Sequence, residues 1–165
     1  MELKRLTTEY VDVEDRIRLS GEAPDGSTVV MWLTQRFLNR LVPRLAEWLE
    51  RQTATQPRGE VLQEFAQQAA VAALAPQAPV VAAKPERTLL VRALDVTTTR
   101  ERVRFGFKAS EKGEVEAGIG FDAQGLRQWL GIVQLQYRRA EWPTSAWPEW
   151  ANAQVQPVPT TSVRH

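Results

Sequence analysis

The sequence predicts an α+β protein of two tandem βββα repeats, an internal duplication in which antiparallel strands carry one amphipathic helix per repeat on one face. Three observations predict it. The stretch Asp15–Leu19 reads DRIRL, and 86 positions later Glu101–Phe105 reads ERVRF, so Ile17 and Leu19 correspond to Val103 and Phe105. The helical stripe Leu38, Leu41, Val42, Leu45 and Leu49 recurs 88 positions later as Leu126, Trp129, Leu130, Val133 and Tyr137. The residues that open those helices, Thr34 and Asp122, are also 88 apart, and both suit an N-cap because a short side-chain oxygen accepts from an orphan amide.

The elements follow in order. Residues 1–50 form the first repeat. A strand over Leu3–Val11 is followed by RIRLSGE, whose period of two puts Ile17 and Leu19 on one face and Arg16 and Arg18 on the other. Pro24-Asp25-Gly26 is turn chemistry, since proline presets φ and glycine supplies a positive one. TVVMWL returns as the partner strand. From Gln35 to Glu50 the apolar residues trace one helical stripe, with Pro43 expected to kink it by removing a hydrogen bond.

Residues 51–87 read as an Ala/Gln/Pro-rich linker. It contains a helix over 60–74, with Val61, Leu62, Phe65, Ala69 and Ala72 on one side, and a proline-rich, extended stretch over 75–86. The second repeat spans 88–140, from the strand TLLVRALDV through RVRFGFKA and VEAGIGF to the helix after Asp122. In VEAGIGF the residues Val115, Ala117, Ile119 and Phe121 alternate onto the core face. Residues 141–150 form a Trp/Pro extension, and 151–165 are expected to be a disordered tail.

Composition restricts function. With 21 basic and 20 acidic residues the net charge is +1, so no global field draws the chain to nucleic acid or membrane. There is no cysteine, and the one histidine is His165 at the last position. Nucleophile–base pairs and the common zinc sites therefore lack their residues. Neither a phosphate-binding P-loop nor a dinucleotide fingerprint is present. No catalytic residue, metal site or cofactor is expected. Lacking an apolar signal core and any run near the ~18 residues of a membrane span, the chain reads as soluble and cytoplasmic.

Two binding surfaces remain. Trp142, Trp147 and Trp150, stiffened by Pro143 and Pro148, read as an aromatic anchor for a protein partner or a second copy, because tryptophan is enriched at interface hot spots. The alternative fate of the three rings is to close the core beside Trp129. The second surface is the sheet face bearing Arg16, Arg18, Trp32, Arg102, Arg104 and Lys108. Arginines beside an exposed tryptophan suit single-stranded nucleic acid through stacking and phosphate pairing. Alternating arginines also describe a plain solvated face, and the 60–74 helix has an apolar side able to cover Val30 and Trp32.

The layout of DRIRL and ERVRF with the helices after Thr34 and Asp122 resembles the Whirly and transcriptional-coactivator single-strand-binding folds, in which antiparallel sheets each end in a helix and pair about a two-fold. The resemblance is architectural, with fewer strands per unit here and no shared motif. It implies strand binding as the alternative to an interaction module.

Overall fold

In the computed structural model, which describes residues 1–52 and 57–152, the alternating segments of the sequence become strands. β1 (Arg5–Val11), β2 (Arg16–Glu22) and β3 (Thr28–Leu33) form an antiparallel meander. The first link is tight because Asp15 adopts a left-handed conformation, φ 47°, after a single 3-10 turn. The second uses Gly26 at φ 85°, the position Pro24-Asp25-Gly26 marks as a turn. α1 (Gln35–Arg51) begins where the Thr34 hydroxyl accepts from the Phe37 amide at 3.2 Å, and it runs on through Pro43 on its exposed side. α2 (Gly59–Ala72) follows, then β4 (Arg87–Leu90), β5 (Ala93–Thr98), β6 (Arg102–Lys108), β7 (Ala117–Asp122) and α3 (Ala123–Ala140). The Asp122 carboxylate caps α3 by accepting from the Gly125 amide at 2.7 Å. The fold is α+β, with seven strands in two sheets and three α-helices among the described residues.

The strands do not segregate by half of the chain. The segment 88–96, read from sequence as one strand, breaks at Val91–Arg92. Its first part, β4, lies parallel to β3 and completes a four-stranded sheet β1-β2-β3-β4, while β5 opens the second sheet, β5-β6-β7. The N-terminus makes the reciprocal move. Leu3 donates its amide to the Gly118 carbonyl at 2.8 Å, and Gly118 donates to the Met1 carbonyl at 2.9 Å, a parallel bridge of Glu2 with Gly118. On β3 the pair is Val30 with Thr88. Glu2 and Thr88 are 86 positions apart, and Val30 and Gly118 are 88 apart, so the two crossings use matching positions. Each sheet is finished by chain from the other half.

A single hydrophobic core lies between. β2 and β3 contribute Ile17, Leu19, Val29, Met31 and Leu33, and β6 and β7 contribute Val103, Phe105, Phe107, Ala117 and Ile119. The helical stripes read from the sequence all point into it. The helices also cross between halves. On α3, Trp129 donates from its indole to the Thr8 hydroxyl of β1 at 3.2 Å, and Gln136 accepts the Tyr10 amide at 2.9 Å. On α1, the Trp48 indole donates to the Thr99 carbonyl beyond β5 at 3.3 Å. The Tyr137 hydroxyl donates to Asn39 at 2.7 Å and ties the two helices together.

Local corrections follow from where elements stop. Strand β7 begins at Ala117, so Val115 is not on the core face with Ala117 and Ile119. It folds back over Gly106 on the opposite side, where a Cβ would stand 2.8 Å from it. The expected tail begins later than read, because Glu149–Asn152 form a 3-10 turn that buries Ala151. From residue 153 onward that expectation lies outside the described residues.

Candidate functional site

The tryptophan–proline extension folds back on the body. α3 ends at Ala140 and is capped by Glu141, whose φ of 57° turns the chain, and the Trp142 amide donates to the Tyr137 carbonyl at 2.9 Å. The Trp142 indole donates to Asp15 at 3.1 Å, and its ring meets Tyr137 edge-on at 5.2 Å and Tyr10 at 5.5 Å. Trp147 meets Tyr137 at 5.3 Å, also edge-on. Trp150 donates to Glu50 at 3.0 Å. Trp142, Trp147 and Trp150 are only 8%, 7% and 8% exposed, so the rings close the core and present no aromatic surface. The reason is the Tyr137 ring, whose faces and edge need apolar cover at the end of α3. Burial there pushes the Tyr137 phenol well above its usual range.

The six residues of the basic face are split between the outer faces of two different sheets. On the first sheet, Glu9, Arg18, Trp32 and Leu90 form one cross-strand row. Arg18 Nε donates to Glu9 at 2.9 Å, and the same guanidinium lies 5.8 Å over the Trp32 ring. On the second sheet, Arg104 pairs with Glu2, and Lys108 pairs with Asp95 at 3.3 Å. Arg16 and Arg102 have no ion pair among the described residues. Exposed pairs of this kind contribute about 0–1 kcal/mol each to stability. Their consequence is electrostatic: Arg18, Arg104 and Lys108 are already neutralised, and the Trp32 ring already has a cation on it.

The rest of the first outer face has a cover, but not the one read from sequence. The proline-rich stretch lies against it around Ala78–Val80. The Val80 amide donates to the Thr7 hydroxyl at 2.8 Å, and Arg5 donates to the Ala78 carbonyl at 2.9 Å. Thr7, Ser20 and Val30 are consecutive cross-strand partners, and Ser20, Val30 and Val80 are all buried.

α2 packs elsewhere, against α3 and the C-terminal turn, and in an unexpected orientation. Its inward face is polar. Gln63 and Gln67, 2% and 1% exposed, donate to the carbonyls of Leu49 and Arg127, each at 2.9 Å, and Gln128 donates to the Ala70 carbonyl at 3.0 Å. Most of its apolar stripe faces out, with Val61 46% and Phe65 63% exposed and Ala69 and Ala72 beside them, while Leu62 of the same stripe is half-buried. The Leu49 and Ala70 carbonyls lie in the last turns of α1 and α2, which lack intrahelical amides four residues on, and glutamine amides supply donors there where leucines do not. The Gln63/Gln67 spacing of i, i+4 was the available signal for this face.

Arg127 joins that polar seam without a carboxylate. It donates to Gln63, its guanidinium lies 5.3 Å from the Trp150 ring, and Nη1 is buried with no partner. Desolvation pushes its pKa down to about 10. Its charged form is thus penalised by folding. That penalty is full at neutral pH and fades as pH rises through about 10 toward the higher value of an unfolded arginine. Arg127→Met is expected to stabilise by about 1–2 kcal/mol at pH 7, within the range for replacing a buried charge by an apolar chain of similar volume. Thermal melts of both proteins should show the gap narrowing at pH 11; an equal gap at both pH values, or a less stable variant, refutes the reading.

Among the described residues no group of His, Cys, Asp and Glu is placed to hold a metal, and no helix is long and apolar enough to cross a membrane. No protein-family model, curated protein or solved structure matches this chain.

Proposed function

We propose that this protein is a non-catalytic interaction module that associates with a second copy of itself through the outer face of α2, and that its halves derive from one duplicated βββα unit. The duplication is supported by the paired crossings, in which Glu2 meets Gly118 as Thr88 meets Val30. It is also supported by the two caps, Thr34 and Asp122.

The observation that carries the interaction is the outward stripe of α2. A helix that buries glutamines and exposes Val61 and Phe65 leaves its most apolar side for something else to cover. The stripe is self-complementary. Its bulky residues lie at the N-terminal end and its small ones, Ala69 and Ala72, toward the C-terminal end. Antiparallel pairing about a two-fold sets Phe65 of each copy over the alanines of the other. It also separates Glu60 and Glu64 from their own copies, which parallel pairing would bring together. Burying a phenylalanine in such a contact contributes about 1.5–3 kcal/mol.

Light scattering on a size-exclusion column, over a range of loading concentrations, tests this. The wild type should run as a dimer that dissociates on dilution, and Phe65→Glu should run as a monomer with an unchanged melting temperature. Ala69→Glu should do the same, and Arg104→Gln should leave the dimer intact. A wild type that is monomeric at every concentration, or a Phe65→Glu variant that still dimerises, overturns the proposal.

A further inference from the structure

A cleft of about 890 Å³ opens between three segments: the first turns of α1, the crossing from β4 to β5, and the loop between β6 and β7. Four cations line it, Arg36 and Arg40 from the helix, Arg92 from the crossing and Lys112 from the loop, against a single carboxylate, Glu111. Among the described residues none of the four has a carboxylate within ion-pair distance, in contrast to Arg18, Arg104 and Lys108 on the sheets. Phe37 and Leu90, both half-buried, add an apolar wall.

The charges are not a by-product of the repeated plan. The positions 88 residues after Arg36 and Arg40 are Gln124 and Gln128, and the Gln128 amide is engaged by the Ala70 carbonyl of α2. α1 thus brings two cations to a concavity where the matching positions of α3 are neutral, and Arg92 and Lys112 of the second half add two more. Crowded, unpaired cations destabilise a surface unless an anion joins them.

From this we infer that the cleft binds a small organic di- or triphosphate, a nucleoside phosphate in chemical class. Its phosphates lie on Arg36, Arg40, Arg92 and Lys112, and its ring lies on Phe37 and Leu90. Guanidinium groups match phosphate bidentately, and the N-terminal turn of α1 adds its dipole in the same sense. The size falls in the range of about 300–1,000 Å³ that small-molecule sites occupy. A nucleic-acid strand fits less well. The cations form one cluster and not a track, the net charge is only +1, and two of the four sheet arginines beyond the cleft, Arg18 and Arg104, are paired.

Calorimetric titration of the full chain with ATP, inorganic pyrophosphate and adenosine, at low salt and without divalent cation, tests this. ATP should bind, pyrophosphate should bind more weakly, and adenosine should give no heat. Arg40→Glu and Arg92→Glu should each weaken ATP by at least about tenfold, the scale of one lost charge-assisted contact, with melting temperatures unchanged. Phe37→Leu should weaken ATP while leaving pyrophosphate as it was. Arg18→Gln and Arg104→Gln should leave both as they were.

The absence of heat with both ATP and pyrophosphate overturns the inference, as does binding insensitive to Arg40→Glu and Arg92→Glu. So does a short oligothymidine that binds more tightly than ATP, which would assign the cleft to a strand. Displacement of ATP by polyglutamate at comparable charge concentration would assign it to acidic peptides and equally overturns it. None of these outcomes depends on whether α2 forms a dimer.

Discussion

Trp142→Ala is expected to destabilise the protein by about 3–5 kcal/mol, the cost of emptying a buried indole site. The ring is 8% exposed, lies edge-on to Tyr137 and Tyr10, and donates to Asp15 in the turn between β1 and β2. Trp142→Phe separates the two contributions, keeping much of the aromatic packing while forfeiting the hydrogen bond, and should cost less. Ending the chain after Glu141 removes all three rings together. That loss is comparable with the ~5–15 kcal/mol that holds a typical domain, so the truncated chain should be unfolded. Urea unfolding followed by tryptophan fluorescence and far-UV circular dichroism measures both. A truncated chain that keeps the full-length midpoint would mean that these rings do not hold the core, and would restore them as a docking element.

Leu3→Ala and Leu89→Ala are expected to cost about 2–5 kcal/mol each, and similar amounts. The two leucines occupy matching positions in the crossing segments, adjoining Glu2 and Thr88, and both belong to the buried core. Leu3 also fills the space above Gly21, where an added Cβ would stand 2.6 Å from its Cδ1. Loss of either leucine loosens the chain that finishes the opposite sheet, so each should lower the unfolding midpoint of the whole molecule in one cooperative transition. Amide exchange gives the finer reading. Leu3→Ala should accelerate exchange at Gly118, and Leu89→Ala should accelerate it in β3. An effect confined to the mutated half in both cases would refute the reciprocal crossing as a source of stability.

Much of the architecture was legible in the residues. Alternation in RIRLSGE and RVRFGFKA assigned Ile17, Leu19, Val103 and Phe105 to the core face, because a strand sends successive side chains to opposite sides. The stripes of α1 and α3 and their caps at Thr34 and Asp122 were readable for the same reason: helical period and capping are local properties. The candidate surfaces were less legible. Nothing in EWPTSAWPEW distinguishes rings that wait for a partner from rings that seat on Tyr137, since both need the same residues. The neutralisation of Arg18 and Arg104 depends on Glu9 and Glu2, which reach them only through strand register and through the N-terminal crossing.

The strand and helix types, the inward faces of the sheets and the lack of residues for common catalytic chemistry thus follow from local pattern and composition. Three features came from long-range packing: the split of TLLVRALDV between two sheets, the glutamine side of α2 turned inward, and the proline-rich stretch laid over Thr7. TLLV is apolar without alternation, so it carries no mark of where one strand ends and the next begins. The α2 sequence offers an apolar stripe and a glutamine stripe, and packing against the end of α1 and the side of α3, where Gln63 and Gln67 bond the Leu49 and Arg127 carbonyls, takes the second. Period tells a segment which of its sides differ; the unsatisfied groups and cavities it meets decide which side goes in.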